Sequence, residues 1–138
     1  MTPSLDNDAS ISQVGIGIVR CQRKYLVGVR ARETILGGFA EFPGGKCDPG
    51  EPIEDTVIRE CLEETGLNVD VQRLLACTRH TYEHGELELS FFLCAPASGQ
   101  CESPQGSFRW VEKCDLATMR FPPANDVVLR MLVENSGV

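Results

Sequence analysis

The stretch Gly44–Leu67, GGKCDPGEPIEDTVIRECLEETGL, holds five glutamates and two aspartates in 24 residues, and Glu60, Glu63 and Glu64 fall within five consecutive positions. Placed on a helix from Pro52 to Thr65 at roughly 100° per residue, Val57 and Cys61 form one i, i+4 pair and Ile58 and Leu62 another. Together these four make an apolar face. Glu60, Glu63 and Glu64 share a different face, so packing the apolar side on a sheet aims three carboxylates into one outward patch. Like charges at this spacing cost roughly a few tenths of a kcal/mol per pair. Glu63 and Glu64 also sit at the helix C-terminus, where the macrodipole disfavours anions. Gly66 stands where a C′ residue ends a helix.

Such an arrangement calls for compensation. Arg59 can hold one carboxylate in a bidentate pair. A divalent cation is a second candidate, because clustered hard oxygens suit Mg²⁺ or Mn²⁺. A plainly solvated acidic face is a third. The preceding turn, Pro43-Gly44-Gly45, permits unusual backbone angles and brings its carbonyls close to the helix. Glu51, just ahead of the helix, adds a fourth carboxylate at the same end.

The rest of the chain frames this segment. Its 138 residues fall in the range of one domain, and 42% hydrophobic content is ordinary for a globular protein. The net charge of −7 argues against broad binding to nucleic-acid backbones, which needs a basic face. Seven cysteines, an odd number without a CxxC pair, fit neither a disulfide framework nor a zinc site, and they point to a reducing cytoplasm. Cys61 and Cys94 lie in apolar surroundings and read as small hydrophobes. The N-terminus MTPSLDNDAS has neither the basic start nor the apolar run of a signal peptide, and no stretch approaches the ~20 apolar residues that span a bilayer.

Residues 1–11 read as a disordered tail and 12–138 as one domain. VGIGIVR and KYLVGVR read as a hairpin about Cys21-Gln22-Arg23. RETILGGFAEFPGGKCDPGE reads as loop with one short strand. Strands follow at VDVQRLLACTRHTYE, at ELELSFFLCAP and at FRWV. DLATMR reads as a turn or short helical piece. NDVVLRMLVEN reads as a terminal helix that can bury Val127, Val128, Leu129, Met131 and Leu132. The pattern is one mixed α/β domain without repeats.

From Gly45, five residues lead to Glu51 and seven more to Arg59, followed by Glu60, Cys61, Leu62, Glu63, Glu64, Thr65, Gly66 and Leu67. This resembles the Nudix box, G-x5-E-x7-R-E-U-x-E-E-x-G-U with U apolar, at every fixed position; Cys61 is the loose fit at the first U. The resemblance implies an α/β/α sandwich of Nudix type, with a mixed sheet, a loop–helix–loop and a C-terminal helix. It implies hydrolysis of a nucleoside diphosphate linked to a further group, on a small-molecule nucleotide, by a monomer or homodimer. By the same resemblance, Glu60 and Glu64 are the main metal ligands, Glu63 is a further ligand or base, Glu51 is an outer or direct ligand, and the Gly44 carbonyl is an added ligand. Arg59 orients a glutamate. The metal neutralises the diphosphate and activates the attacking water, so an acidic protein can take an anionic substrate.

Two flanking stretches, EFPGGK (41–46) and FPPANDVV (121–128), resemble the branch of the family that hydrolyses oxidised purine nucleoside triphosphates, the MutT type. There the asparagine after Pro-Pro-Ala reads the base edge, which corresponds to Asn125; the alternative is that Asn125 caps the terminal helix. Arg30 corresponds to an arginine that contacts base or phosphate, or is a sheet-edge surface residue. Phe42 lines the base pocket or fills the core, and Lys46 lies near the diphosphate. Glu102, or in its place Glu83, Glu86 or Glu88, is a candidate for a glutamate supplied by a distal loop. His80 and His84 flank a strand turn and read as solvated or core-satisfied. Alternative substrates are pyrimidine triphosphates of the CTP or dCTP type, dinucleotides and nucleotide sugars. A non-catalytic nucleotide-sensing module is a further reading.

Overall fold

A computed structural model describes residues 11–134. Most of the expected tail, and Asn135 at the expected end of the terminal helix, lie outside the described residues. The strands are β1 (Ile11–Cys21), β2 (Lys24–Val29), β3 (Ala40–Glu41), β4 (Gly44–Lys46), β5 (Val69–Tyr82), β6 (Gly85–Pro96) and β7 (Arg109–Glu112). The helices are α1 (Ile53–Thr65), α2 (Lys113–Leu116) and α3 (Asp126–Glu134), the last preceded by a 3₁₀ turn over Pro123–Asn125. One mixed sheet runs β3-β2-β1-β6-β5, with β4 also paired to β1 and β7 to β2. Strands β1 and β6 are parallel, and every other pairing is antiparallel.

The sequence GIGI in β1 explains how the layers form. Successive residues of a strand face opposite sides. Ile16 and Ile18 face one core with Leu89, Phe91 and Leu93 of β6, closed by Val128 and Leu132 of α3. Gly15 and Gly17 face the other side, where α1 lies so close that a Cβ on Gly17 would stand 2.8 Å from Cys61 Sγ. Val57 and Cys61 are fully buried there with Val19, Leu26, Phe92 and Cys94. Helix α1 thus covers one face of the sheet and α3 the other, which is the expected α/β/α sandwich. Gly66 ends α1 at φ 78 and donates its N–H to Leu62 O at 2.9 Å, a conformation glycine adopts without steric cost.

Several expectations need correction. β1 begins at Ile11, one residue inside the expected tail, where it pairs with Glu86. The glycine-rich loop holds two short strands rather than one, because β4 pairs with β1 and β3 with β2. The hairpin is brief: β1 and β2 pair only at Arg20↔Tyr25 and Cys21↔Lys24, with Cys21 in the strand and Gln22 at φ 60 in the turn. Leu62 is 44% exposed and Val127 49% exposed, so each lies off its helix's buried stripe. Cys21 and Cys101 form a disulfide, against the expectation of none. They are 80 residues apart in sequence, and only the fold lays the loop ahead of β7 beside the end of β1. Cys61 and Cys94 are buried free thiols as expected; burial pushes the Cys61 thiol up strongly and the Cys94 thiol up to about 12. Among the described residues no helix is long and apolar enough to cross a membrane.

The close seat of α1 on β1 is testable. Gly17→Ala should overpack Cys61 and Val57 and lower stability by about 1–3 kcal/mol, read as a lower urea midpoint. An unchanged midpoint would mean that the helix is not seated this tightly.

Candidate active site

The loop between β4 and α1 is tied to the helix by one side chain. Arg59 grips Glu51 with a two-pronged fork, Nε to Oε2 at 2.9 Å and Nη2 to Oε1 at 3.0 Å. The same guanidinium donates to Glu60 Oε2 at 3.0 Å, to Glu63 Oε1 at 3.4 Å and to the Lys46 carbonyl at 3.3 Å. Asp48 stands 3.7 Å away. Glu51 also accepts from Asp48 N–H and from Thr56 Oγ1, so it closes the loop onto the first turn of α1. Helix α1 has no side-chain N-cap of its own at Pro52. The Arg59 fork and these two donors hold the Glu51 carboxyl well below the usual range, at about 2. The carboxylates in turn push the Arg59 guanidinium further up.

Glu64 stands apart from this arginine. It accepts from Gly44 N–H at 3.2 Å and faces the Glu60 carboxyl. Burial first, and then Glu60, push its carboxyl up to about 7. Gly45 makes the cradle: a Cβ there would stand 2.5 Å from the Glu60 carboxyl carbon. Glu63 is the outlying member, its side chain 58% exposed. Among the described residues no three acidic, cysteine or histidine side chains converge as a ready-made metal cage. The donor set nevertheless fits a divalent cation. Two facing carboxylates in a partly buried cradle, one of them destabilised by the other, are what a hard cation with oxygen ligands relieves.

Beside this cluster lies a cavity of about 330 Å³. Gly44 and Gly45 line it, and the same two residues meet the carboxyls of Glu64 and Glu60. Asn125, Arg30, Phe42 and Lys46, which come from three separate segments, all line it. Asn125 is 8% exposed and donates Nδ2 to Pro122 O at 3.1 Å; among the described residues no donor reaches its Oδ1. Phe42 does both of the things weighed for it. It is buried in the core, stacked on Phe121 at 4.8 Å between centroids, and forms a wall of the cavity.

Other candidates fall elsewhere. Glu102, Glu83, Glu86 and Glu88 do not line the cavity. Glu86 and Glu88 pair with Arg79, and Glu88 also takes Gln13. Glu102 accepts the Trp110 indole N–H through its backbone carbonyl. His84 lies outside the cavity, but His80 lines it, as do Glu41 and Leu36. The signal for His80 was available in the alternation of β6: it pairs with Leu87, which lines the same cavity. Gln105 was also overlooked. It caps the end of α1, its N–H on Thr65 O at 2.9 Å and Nε2 on Glu63 O at 3.4 Å.

The α/β sandwich carries a loop–helix–loop of clustered carboxylates beside a cavity, and its family and relatives make it a hydrolase of phosphoric anhydride bonds. Residues 15–131 match the NUDIX domain model, and the chain belongs to the Nudix family. It is 30% identical over 122 residues to an Escherichia coli protein named 8-oxo-dGTP diphosphatase, covering 87% of this chain and 95% of that one. A Haemophilus influenzae protein of the same name is 31% identical over 132 residues, covering 94% and 96%. A solved structure from work on MutT of Aliivibrio salmonicida and Vibrio cholerae superposes with a TM-score of 0.72 at 29% identity, covering 90% of this chain and 97% of that one. Nudix hydrolases act on small-molecule nucleotides and generally require divalent metal ions.

The raised Glu64 carboxyl has a consequence for stability. Its proton is held more tightly in the folded than in the unfolded chain, so the metal-free fold loses stability as pH rises from 4.5 to about 7 and carries the full cost above that. In EDTA at pH 8, Glu64→Gln should therefore melt a few degrees higher than the parent, with the difference vanishing towards pH 4.5. A lower melting temperature at pH 8 would contradict the facing carboxylates.

Proposed function

We propose that the chain is a Mg²⁺-dependent nucleoside triphosphate pyrophosphohydrolase that gives nucleoside monophosphate and pyrophosphate, acting on oxidised purine nucleotides such as 8-oxo-dGTP. Residues 12–138 act as one domain, in a monomer or homodimer, in the cytoplasm where the nucleotide pool lies. The observation that supports the reading is that Gly44 and Gly45 border both the Asn125 cavity and the Glu60–Glu64 cradle, so that one ligand bound along them would meet both.

In this reading Glu60 and Glu64 hold the cation, with Glu63 and the Gly44 carbonyl as further ligands and Mn²⁺ as a substitute. The bound ion supplies charge neutralisation and polarisation of the P–O bonds. Glu51 fixes Arg59, and Arg59 fixes Glu60, so the ligand carboxylate is oriented before substrate arrives. Lys46 adds a positive charge at the junction of cavity and cluster. Asn125 presents an unspent amide oxygen to the base, and Pro122 O holds the amide in place; an amide accepts and donates at once, which suits a purine edge. The cavity volume and its apolar walls of Phe42, Leu87 and Leu89 suit a nucleobase. The relatives named 8-oxo-dGTP diphosphatase support the oxidised purine over pyrimidine triphosphates, dinucleotides and nucleotide sugars.

The test is a panel of 8-oxo-dGTP, dGTP, CTP, a dinucleotide and a nucleotide sugar, assayed with Mg²⁺ for released pyrophosphate and monophosphate. Preference for 8-oxo-dGTP is expected, and Asn125→Ala should narrow it by about tenfold, the worth of one lost hydrogen bond to the base. Equal rates across the panel would remove the base-reading role. Glu60→Gln should cut kcat/KM by at least ~100-fold, as loss of a ligand to a catalytic cation does. Unchanged hydrolysis in that variant would overturn the mechanism. A nucleotide bound but never cleaved would favour the sensing module.

A further inference from the structure

We propose that Glu41 is a positioning residue, which holds Arg30 at the rim of the nucleotide cavity so that the guanidinium, and not the carboxylate, meets the ligand. The inference rests on the cavity being the nucleotide site.

Arg30 follows β2 and opens a loop that runs to Phe39. Its N–H donates to Phe39 O at 2.8 Å, and its carbonyl accepts from Gly38 N–H at 3.0 Å, so the two ends of the loop are clasped at this residue. The side chain folds back into the same loop, with Nε donating to Ile35 O at 3.0 Å. The loop's other ties are internal to it: Thr34 N–H and Oγ1 donate to Ala31 O, Gly37 N–H to Thr34 O and Phe39 N–H to Leu36 O. Ile35 is 83% exposed, and Leu36, which lines the cavity, sits at φ 63, a backbone angle that costs a leucine energy. An arginine anchored only there would be placed by its own loop alone.

Glu41 supplies an anchor from a different element. It lies on β3, opposite Gly28 of β2, and its Oε1 stands 3.5 Å from Arg30 Nη1. Both side chains line the cavity and both are partly buried. A guanidinium carries five N–H donors in a fixed fork. Ile35 O and Glu41 occupy one each, which leaves three on a side chain that lines a cavity whose other polar side chains include Asn125, His80 and Lys46.

Charge decides which of the pair meets the ligand. A bare carboxylate beside the path of an anionic polyphosphate would repel it, whereas the pair is neutral and presents its donors. Burial raises the Glu41 carboxyl and Arg30 opposes the rise. In exchange, the carboxylate spares Arg30 the loss of rotamer freedom that ligand binding would otherwise impose.

A double-mutant cycle tests this. kcat and KM are measured for the parent, Glu41→Gln, Arg30→Ala and the double variant, with whichever nucleotide of the panel the parent turns over best. Glu41→Gln should raise KM about tenfold and alter kcat by less than about threefold, the signature of lost ligand binding. In the Arg30→Ala background the same substitution should change KM by no more than about twofold, because residues that act through one another are not additive. A tenfold effect that persists without Arg30 would show Glu41 touching the ligand itself and overturn the proposal. So would a fall in kcat at constant KM, or no change at all. Melting curves identify any variant that fails to fold. Glu41→Asp, which keeps the charge but shortens the reach, then takes the place of Glu41→Gln, with the same non-additivity expected. If the best nucleotide is not an oxidised purine, the substrate reading falls while the cycle still measures the Arg30–Glu41 coupling.

Discussion

The fork between Arg59 and Glu51 is the interaction on which the site depends. A helix whose outer face carries Glu60, Glu63 and Glu64 resists its own formation at close range, and its N-terminus lacks a side-chain cap. One guanidinium meets both problems. It draws Glu60 and Glu63 together on the helix, and through Glu51 it fastens the Gly-Pro loop to the first turn. The compensation is deliberately incomplete in charge. Arg59 brings one positive charge to Asp48, Glu51, Glu60 and Glu63, and Glu64 stands outside its reach. Negative charge therefore remains on the segment, and the facing pair Glu60 and Glu64 is the place proposed for a divalent cation.

That fork can work only because the sheet holds the loop still. β4 is short, but it is paired residue for residue with β1, the strand that also carries β6 and, on its glycine side, the buried face of α1. The loop, the helix and the cavity floor therefore share one rigid support. The cavity draws on β1 and β4 too, but also on the loop after β2, on β3, on β5 and β6, and on the turn before α3. Carboxylates that need precise mutual placement come from one continuous segment. The surface that would choose the base comes from several, joined only by the tertiary fold. Such an arrangement lets the base pocket vary while the chemistry stays the same.

Some elements were legible because local physics sets them. The helical spacing around Val57 and Cys61, the stop at Gly66 and the alternation in β1 and β6 are short-range patterns, and the structure keeps them. Others were not legible for the same kind of reason. Whether Leu62 or Val127 is covered depends on how wide a stripe the opposing sheet presents, and a narrow contact leaves both in solvent. Spacing along the chain carries no information on a disulfide between residues 80 apart, so the odd cysteine count was a poor guide to Cys21 and Cys101. Glu41 could be seen in EFPGGK, but nothing in that string says that its carboxylate turns towards Arg30.

The Nudix box, the identity of the carboxylates and of the arginine among them, and hence the class of reaction, could be read from the chain before any folding, because all of these sit within one loop and one helix whose geometry is local. The sequence also named Asn125, Arg30, Phe42 and Lys46 as residues to watch. Long-range packing brings those four onto a single cavity, sets Gly44 and Gly45 between it and the carboxylates, and adds His80 and Glu41 to the same surface. These are contacts between segments far apart in the chain, and their distances are set by strand register and by helix packing rather than by any pattern a single segment carries.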